Sequence, residues 1–411
     1  MCAKRAFQDE GIGVTRQSPG IAVSVFADDL SGAAETASAF LGRAVELSLI
    51  LDASTPPHAA GVTVADLNTR AMGALDAQRT LRMALTGVSR DGLVIKKIDS
   101  LLRGHIGAEV AVLADRGPVI VAAALPAMNR IVFGGVLHVG GVPLHRTRAW
   151  AAETSSPPPT VAALFGGLPS TSIPVGQDVA ESLARAASAG HIAVCDAATD
   201  ADLELIVRSS RSIPGAQLVG TSALAAALAR TLPVTDREPD SRRPASTVFT
   251  VVGTAEPIAV AQVAALVAEG VQQVAVGADA LLSGSADPTV VTRALARGSV
   301  VLTIAGAVDP ASARALSAAL GRFVRAGQGP HRPDLVLTGG ETARAVVDAI
   351  GLTSLRPVHE VHHGAVVSVA SDGRSIVTRP GSFGDADSLT AIAKYLTTPT
   401  PVHPHTSQDI S

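Results

Sequence analysis

A chain of 411 residues is too long for one ordinary hydrophobic core, so two domains are the first expectation. Hydrophobic residues make up 47% and charged residues 17%, the balance of a globular protein with well-buried sheets, while aromatics at 2% leave too few rings for a platform that stacks single-stranded nucleic acid. The net charge of −3 supplies no field for nucleic acid or an anionic membrane, and no apolar run approaches the ~18 residues of a membrane span.

Residues 1–20 are polar and irregular, and the sequence predicts a flexible N-terminal tail there, without the apolar stretch of a signal peptide. Residues 21–27 (IAVSVFA) read as a buried strand, followed by Asp28 and Asp29 and by an Ala-rich helix over 30–41. Strands are expected at 45–51 and 61–66, the latter closed by the polar Asn68, Thr69 and Arg70, and a helix at 76–87. The segment VIKKIDSLLRGHIGAEV at 94–110 gathers Lys96, Lys97, Asp99, Ser100, Arg103 and His105 between a strand-like run and a helix over 106–114. Residues 119–124 are a continuous apolar run, typical of a strand buried on both faces, and lead into 125–130, which ends in Arg130. Residues 134–144 alternate and carry a Gly-Gly turn, the signature of a hairpin, and 150–168 form a Pro- and Ser-rich connection. A strand at 192–196, a helix from 200, a strand at 218–220 and a helix over 221–232 complete the first half.

Residues 233–247 are charged, hold three prolines and lack periodicity, so the domain boundary is placed there. This divides the chain into a first domain at 21–232, a linker at 233–247, a second domain at 248–397 and a flexible tail at 398–411. The second half restarts with a strand at 248–252 that exits into Gly253 and Thr254. It continues with a helix at 258–269, strands at 271–276 and 299–304, a helix at 311–326, and a strand at 335–337 entering Gly339, Gly340, Glu341 and Thr342. Strands at 366–370 and 375–378 flank Asp372-Gly373 as a hairpin, and a loop with Gly381 and Gly384 precedes a closing helix at 388–396. Strands alternating with helices define an α/β fold of two domains, each a mostly parallel sheet flanked by helices, with the active site in the cleft between them.

The chain has no GxxxxGK[ST], no GxGxxG after a first strand and no HExxH, which disfavours phosphate-loop enzymes, dinucleotide enzymes and zincins. Cys2 and Cys195 have no partner at metal-ligand spacing, so neither a disulfide framework nor a zinc site is expected, and a reducing cytoplasm suits the chain. The pair Asp28-Asp29 reads either as a helix cap or as carboxylates that bind hydroxyls or a metal. The cationic turn at 96–103 is an anion site on chemical grounds. Strand alternation sends Lys96 and Lys97 to opposite faces, so only one of them is expected at the ligand. His105 reads as a helix-start or packing residue. Gly253-Thr254, Gly339 to Thr342 and Gly381 to Gly384 each follow a strand; three turns where phosphate can approach the backbone suggest a nucleotide site outside the phosphate-loop design.

Six motifs occur in order: ADDLSGAAETA at 27–37, KKIDSLLRGHIGAE at 96–109, GVPL at 141–144, CDAATDADL at 195–203, TGGETA at 338–343 and PGSFGDADSL at 380–389. Together they resemble the four-carbon acid sugar kinase family over about residues 21–396. The resemblance implies a first domain that binds the sugar acid and a second that binds ATP, with transfer of phosphate to the terminal hydroxyl of a threonate, an erythronate or a 3-oxo-tetronate. It implies acid-sugar roles for Asp28, Asp29, Lys97, Asp99, Ser100 and Arg103, with Arg130 added as substrate-binding, and ATP contacts for Thr254, Gly339, Gly340, Glu341, Thr342, Gly381 and Gly384. Arg103 and a lysine would hold the carboxylate; Asp28, Asp29 or Asp99 would orient or deprotonate the attacking hydroxyl; Mg²⁺ would bridge the phosphates through protein ligands left unassigned. Leu101 stands where the family usually has threonine, which points to substrate choice. The partner expected is a small-molecule sugar acid, with no nucleic acid and no membrane, and a homodimer as candidate assembly. The competing reading is a nucleotide- and acid-binding sensor without turnover.

Overall fold

The computed structural model describes residues 22–399, apart from 44–45, 59, 91, 152, 154, 177, 236–242, 255, 307–311 and 382. The predicted N-terminal tail, residues 400–411 of the predicted C-terminal tail and the middle of the predicted linker lie outside the described residues.

The first half begins with β1 (Val23–Ala27), whose five residues are all buried, as a central parallel strand requires. Asp29 ends the strand in extended conformation and caps α1 (Leu30–Ser38) by accepting the Gly32 amide at 3.1 Å. There follow β2 (Leu47–Ile50), β3 (Val62–Asp66), α2 (Ala74–Leu85), β4 (Leu93–Lys97), α3 (Ile106–Ala114) and β5 (Val119–Ala122). A small antiparallel sheet of β6 (Arg130–Phe133), β7 (Val136–Val139) and β8 (Val142–Pro143) extends the expected hairpin by one strand. Its Gly134-Gly135 turn has φ of +58° and +71° and donates both amides to the Asp196 carboxylate at 2.8 and 2.9 Å. The half closes with β9 (Ser170–Ile173), α4 (Val179–Ser188), β10 (Ile192–Cys195), α5 (Asp200–Ser210), β11 (Gln217–Gly220) and α6 (Ser222–Arg230). Thr199 and Asp202 form a capping box at the start of α5, so much of the CDAATDADL motif is spent on local structure.

The second half holds β12 (Val248–Val252), α7 (Pro257–Ala268), β13 (Gln272–Gly277), α8 (Ala278–Ser283), α9 (Thr289–Leu295), β14 (Val300–Ala305), α10 (Ala313–Gln328), β15 (Asp334–Thr338) and α11 (Gly340–Ile350). An antiparallel run of β16 (Ser354–His362), β17 (Ala365–Ala370) and β18 (Ser375–Arg379) leads to α12 (Ser388–Thr397).

The two-domain α/β architecture stands, but the two expected sheets are one. Fifteen strands run in the order β13-β14-β12-β15-β18-β17-β16-β2-β3-β1-β4-β11-β5-β10-β9. The seam is β16 on β2, antiparallel, with Ser354 opposite Ile50 and Leu355 opposite Leu49. The sequence reading placed no strand at Ser354–His362 or Ser170–Ile173, because neither has a continuous apolar run: the first carries Pro357 and charges, the second is a polar edge. Pairing with neighbours on both sides, not local propensity, makes β16 a strand.

The seam also fixes where the site lies. Within the fifteen-stranded sheet, among the described residues, only β2/β16, β16/β17 and β17/β18 are antiparallel, so the strands of the second half nominally run opposite to those of the first. Six junctions separate β1 from β15. At about 20–25° of twist per junction they turn the sheet by roughly 120–150°. A twist of that size accounts for the meeting of the carboxyl ends of β1 and β3 with that of β15, seen where Gly340 abuts Asp29 and Arg344 reaches Asp66. Helix α1 sits in this fold of the sheet. Its residues Leu30 to Ala37 are all buried, and it packs on β1 and β3 on one side and on α11 and β16 to β18 on the other. Its small residues, Gly32, Ala33, Ala34 and Ala37, permit that close packing on every side. Among the described residues no helix is long and apolar enough to cross a membrane.

Candidate active site

Register places the acid-binding cluster. Ala27 lies opposite Asp66 on β3 and opposite Lys97 on β4, so the three strand exits at 28–29, 67–70 and 98–103 converge. At their centre stands Arg70. Its Nε donates to Asp28 Oδ2 at 2.8 Å, its two terminal nitrogens donate to the two Asp29 oxygens at 3.0 Å each, and Asp99 Oδ1 lies 3.7 Å from Nη2. The sequence reading noted Arg70 only as a polar strand end. Its sole signal was a cation at the exit of a buried strand beside the one that delivers Asp28-Asp29.

Asp28 is buried, with Oδ1 lacking any partner. Burial alone would raise its pKa, but Arg70 first, then Lys97 and Lys96, hold it below the usual carboxylate value. Lys97 approaches Asp29 Oδ1 at 3.9 Å, and it fits because residue 32 is glycine: a Cβ there would stand 2.1 Å from its Nζ. Lys96 points to the other face, where its Nζ meets Glu109 Oε2 at 3.2 Å while Thr69 Oγ1 donates to Glu109 Oε1 at 2.7 Å. This fully buried network lies behind the pocket and ties β4 and α3 to the loop that carries Arg70.

Asp99 is locked by its own turn. Its carboxylate accepts the amides of Leu101 and Arg103 at 3.1 and 3.2 Å and a two-point contact from the Arg103 guanidinium, 2.8 Å at each nitrogen. Burial opposes ionisation, but the Arg103 hydrogen bonds, then Arg70, push Asp99 well below the carboxylate range. The turn closes through Leu102 at φ +63° and Gly104 at φ +89°. A buried leucine in the left-handed region is a local strain held by its surroundings. The lone tryptophan, Trp150, covers the turn by donating to the Leu101 carbonyl at 2.7 Å. Arg103 therefore spends its fork on Asp99. Arg130, at the start of β6, donates through Nη1 to Ser100 Oγ, has a buried, unpartnered Nε and is paired with no carboxylate among the described residues. Burial lowers its pKa, the mark of a cation short of counter-charge. The His105 ring contacts the Met72 carbonyl and takes no part in the cluster.

On the other side of the cleft the glycine turns meet one another. A Cβ on Gly253 would lie 2.0 Å from Thr342 Oγ1, and one on Gly381 would lie 3.2 Å from the Thr254 methyl carbon. Gly339 has φ +93° and donates its amide to the Arg379 carbonyl at 2.8 Å; Gly384 has φ +79°. Gly340 opens α11 directly against the acid cluster, since a Cβ there would lie 2.6 Å from Asp29 Oδ2 and 3.3 Å from Ser31 Oγ. The structure thus brings together Asp28, Asp29, Lys97, Asp99, Ser100, Arg103 and Arg130 on one side and Thr254, Gly339, Gly340, Thr342 and Gly381 on the other, while Gly384 faces Ser388 and His362 instead. Glu341 is exposed and faces a groove of about 400 Å³, which Asn68, Arg314, Arg322 and Arg344 also line. Arg344 spans the cleft to Asp66 Oδ2 at 3.0 Å.

A charged pocket facing a glycine-lined turn at the start of a helix suits a phosphotransferase, which must align an acceptor with a polyphosphate. Family models agree, matching a sugar-binding N-terminal domain at residues 23–228 and a nucleotide-binding C-terminal domain at 249–389. The chain is 33% identical to a D-threonate kinase of Cupriavidus necator over 89% of its own length and 95% of that protein. It is 28% identical to a 3-oxo-tetronate kinase of Methylobacterium radiotolerans, over 89% and 97%. A solved structure from Salmonella typhimurium LT2 superposes with a TM-score of 0.73 at 22% identity, covering 91% of this chain and 99% of that one, which supports the fold. The chain belongs to the four-carbon acid sugar kinase family.

Proposed function

We propose that the protein transfers the γ-phosphoryl group of ATP to the terminal hydroxyl of a four-carbon sugar acid of the threonate type. The observation that carries this reading is the charge pattern of the pocket. Asp28, Asp29 and Asp99 are engaged by Arg70 and Arg103, while Arg130 keeps donor capacity and no carboxylate partner. Arg130, with Ser100, holds the substrate carboxylate; Lys97 supplements its charge. This assigns to Arg130 the part that the sequence reading gave to Arg103, which instead freezes the Asp99 turn.

Asp29 orients the attacking hydroxyl, because it is the carboxylate that abuts Gly340 and the nucleotide side. The unpartnered Oδ1 of Asp28 accepts a further substrate hydroxyl. Phosphoryl transfer asks the protein mainly for alignment and charge neutralisation, so a carboxylate fixed in place by Arg70 serves as positioner. Among the described residues no group of three His, Cys, Asp or Glu is placed to hold a metal. Mg²⁺ commonly relies on phosphates, water and one or two carboxylates, so it would enter with the nucleotide, with Asp29 as the carboxylate to hold it, and would supply charge neutralisation. The need for ATP supports a cytoplasmic site for the reaction.

The test is ADP release across a panel of threonate, erythronate and 3-oxo-tetronate isomers, with Arg130→Ala as variant. Loss of one charge-assisted contact, about 1.5–3 kcal/mol, raises KM for the acid roughly 10- to 150-fold and leaves KM for ATP within about twofold. Equal losses for both substrates would overturn the assignment. Thermal shifts with both ligands but no turnover would favour the sensor.

A further inference from the structure

Arg379 closes β18 and is the bulkiest fully buried side chain among the described residues. Among the described residues, every group its guanidinium meets is neutral. Nη1 donates to Gln262 Oε1 at 2.6 Å, Nη2 donates to the Phe383 carbonyl, and Nε is buried without an acceptor. Burial pushes its pKa down to about 10, with no neighbouring carboxylate to oppose the shift. The other buried cations among the described residues face carboxylates: Lys96 meets Glu109 at 3.2 Å and Lys97 lies 3.9 Å from Asp29. A buried charge without a counter-charge is costly, so a structure that keeps one implies an anion supplied from elsewhere.

Its position says which anion. The Arg379 carbonyl fixes the Gly339 amide, and its side chain fixes the loop after Pro380, which touches Thr254 through Gly381. Gln262, held by Arg379, also donates to the carbonyls of Phe383, Gly384 and Asp385 at 3.3, 3.4 and 2.7 Å. With those carbonyl oxygens drawn inward, the loop does not present them to a phosphate. Arg379 thus holds two of the three glycine turns, one through its carbonyl and one through its side chain.

We infer that Arg379 is the fixed counter-charge for the polyphosphate of the nucleotide, acting through the loop it anchors as a positioning residue and not as a phosphate ligand. The inference rests on the nucleotide-site reading above and adds the residue that supplies its charge. Gln262 is the neutral strut that keeps the guanidinium in place without neutralising it.

The experiment uses the full chain without sugar acid and two probes: sodium tripolyphosphate, which carries charge alone, and adenosine, which carries none. In Arg379→Met, the ligand-free Tm should equal or exceed that of the parent. Tripolyphosphate should bind at least about tenfold more weakly, and adenosine within about twofold of the parent. Arg379→Lys should keep tripolyphosphate binding at neutral pH and lose it, relative to the parent, as pH rises through the lowered pKa of a buried ammonium. Unchanged tripolyphosphate affinity in Arg379→Met, or equal weakening of both probes, would overturn the inference. Should Arg379→Met fail to fold, the lysine variant decides, and a pH profile parallel to that of the parent overturns it. A parent that binds no tripolyphosphate would sink the nucleotide-site reading and this inference together. Absence of turnover on sugar acids, with these shifts intact, would touch the kinase reading alone.

Discussion

The two sides of the cleft recognise by different means. The acid side is crowded with side-chain charge: three aspartates and four cations, most already bonded to each other before any ligand arrives. The nucleotide side offers glycine turns and backbone, with a single buried arginine beneath them. A small hydroxy acid presents few groups at fixed angles, and rigid, pre-paired side chains discriminate among them. A polyphosphate presents diffuse charge, and amides at a helix start together with a background cation suffice.

The largest effect should come from breaking the pre-paired side. Arg70→Ala leaves Asp28 and Asp29 without their main partner, a cost of roughly 3–5 kcal/mol for broken buried pairs. We expect kcat/KM to fall on the order of 10²- to 10⁴-fold and the Tm to drop, with tripolyphosphate binding retained at the other side. Comparable damage to both sides would show that the cleft is one cooperative unit and not two devices.

Gly340→Ala probes the point where the two sides touch. The added Cβ would press on Asp29 Oδ2, whereas alanine favours the helix by about 0.8–1.0 kcal/mol. A fall in kcat of about 10- to 100-fold is expected at nearly unchanged Tm, because displacement at the reacting centre is costly while the fold tolerates it. An unchanged kcat would remove Asp29 from the reacting position.

The smallest effect concerns the bridge between Asp66 and Arg344. Burial, outweighing Arg344, pushes the Asp66 pKa up to about 6. The folded protein therefore holds this proton more tightly than the unfolded chain. The Asp66 contribution to stability is fully present below the unfolded value near ~4 and is lost as pH rises to about 6. The ion pair runs the other way, forming only as Asp66 ionises. Asp66→Asn should erase that downward step in a plot of Tm against pH between about 4 and 6. A step that survives the substitution would assign it to another group.

The sequence showed the acid side better than it showed the joint between the halves. An apolar run followed by Asp28-Asp29 and a small-residue helix is local information, and the structure realises it as β1, a capping Asp29 and α1. The partition between Lys96 and Lys97 follows from strand alternation alone. The pairing of Arg103 with Asp99 was not legible for a conformational reason: the turn between them runs through Leu102 in the left-handed region, which no propensity for leucine suggests. Arg70 was overlooked because its importance is tertiary, set by the register of β3 against β1. The seam strand β16 was invisible for a related reason, since its proline and charges become a strand only between β2 and β17.

That seam has a practical consequence. The chain crosses between halves once at 233–247, yet the halves are also knitted by main-chain pairing of β16 with β2. Expressed separately, the first half would display the bare, apolar edge of β2, with Leu47, Leu49 and Ile50 flanking unsatisfied amides. Such an edge invites self-association, but it is also a specific adhesive for the missing fragment. A chain severed between 233 and 247 should therefore reassemble by fragment complementation, with the covalent tether replaced by a strand.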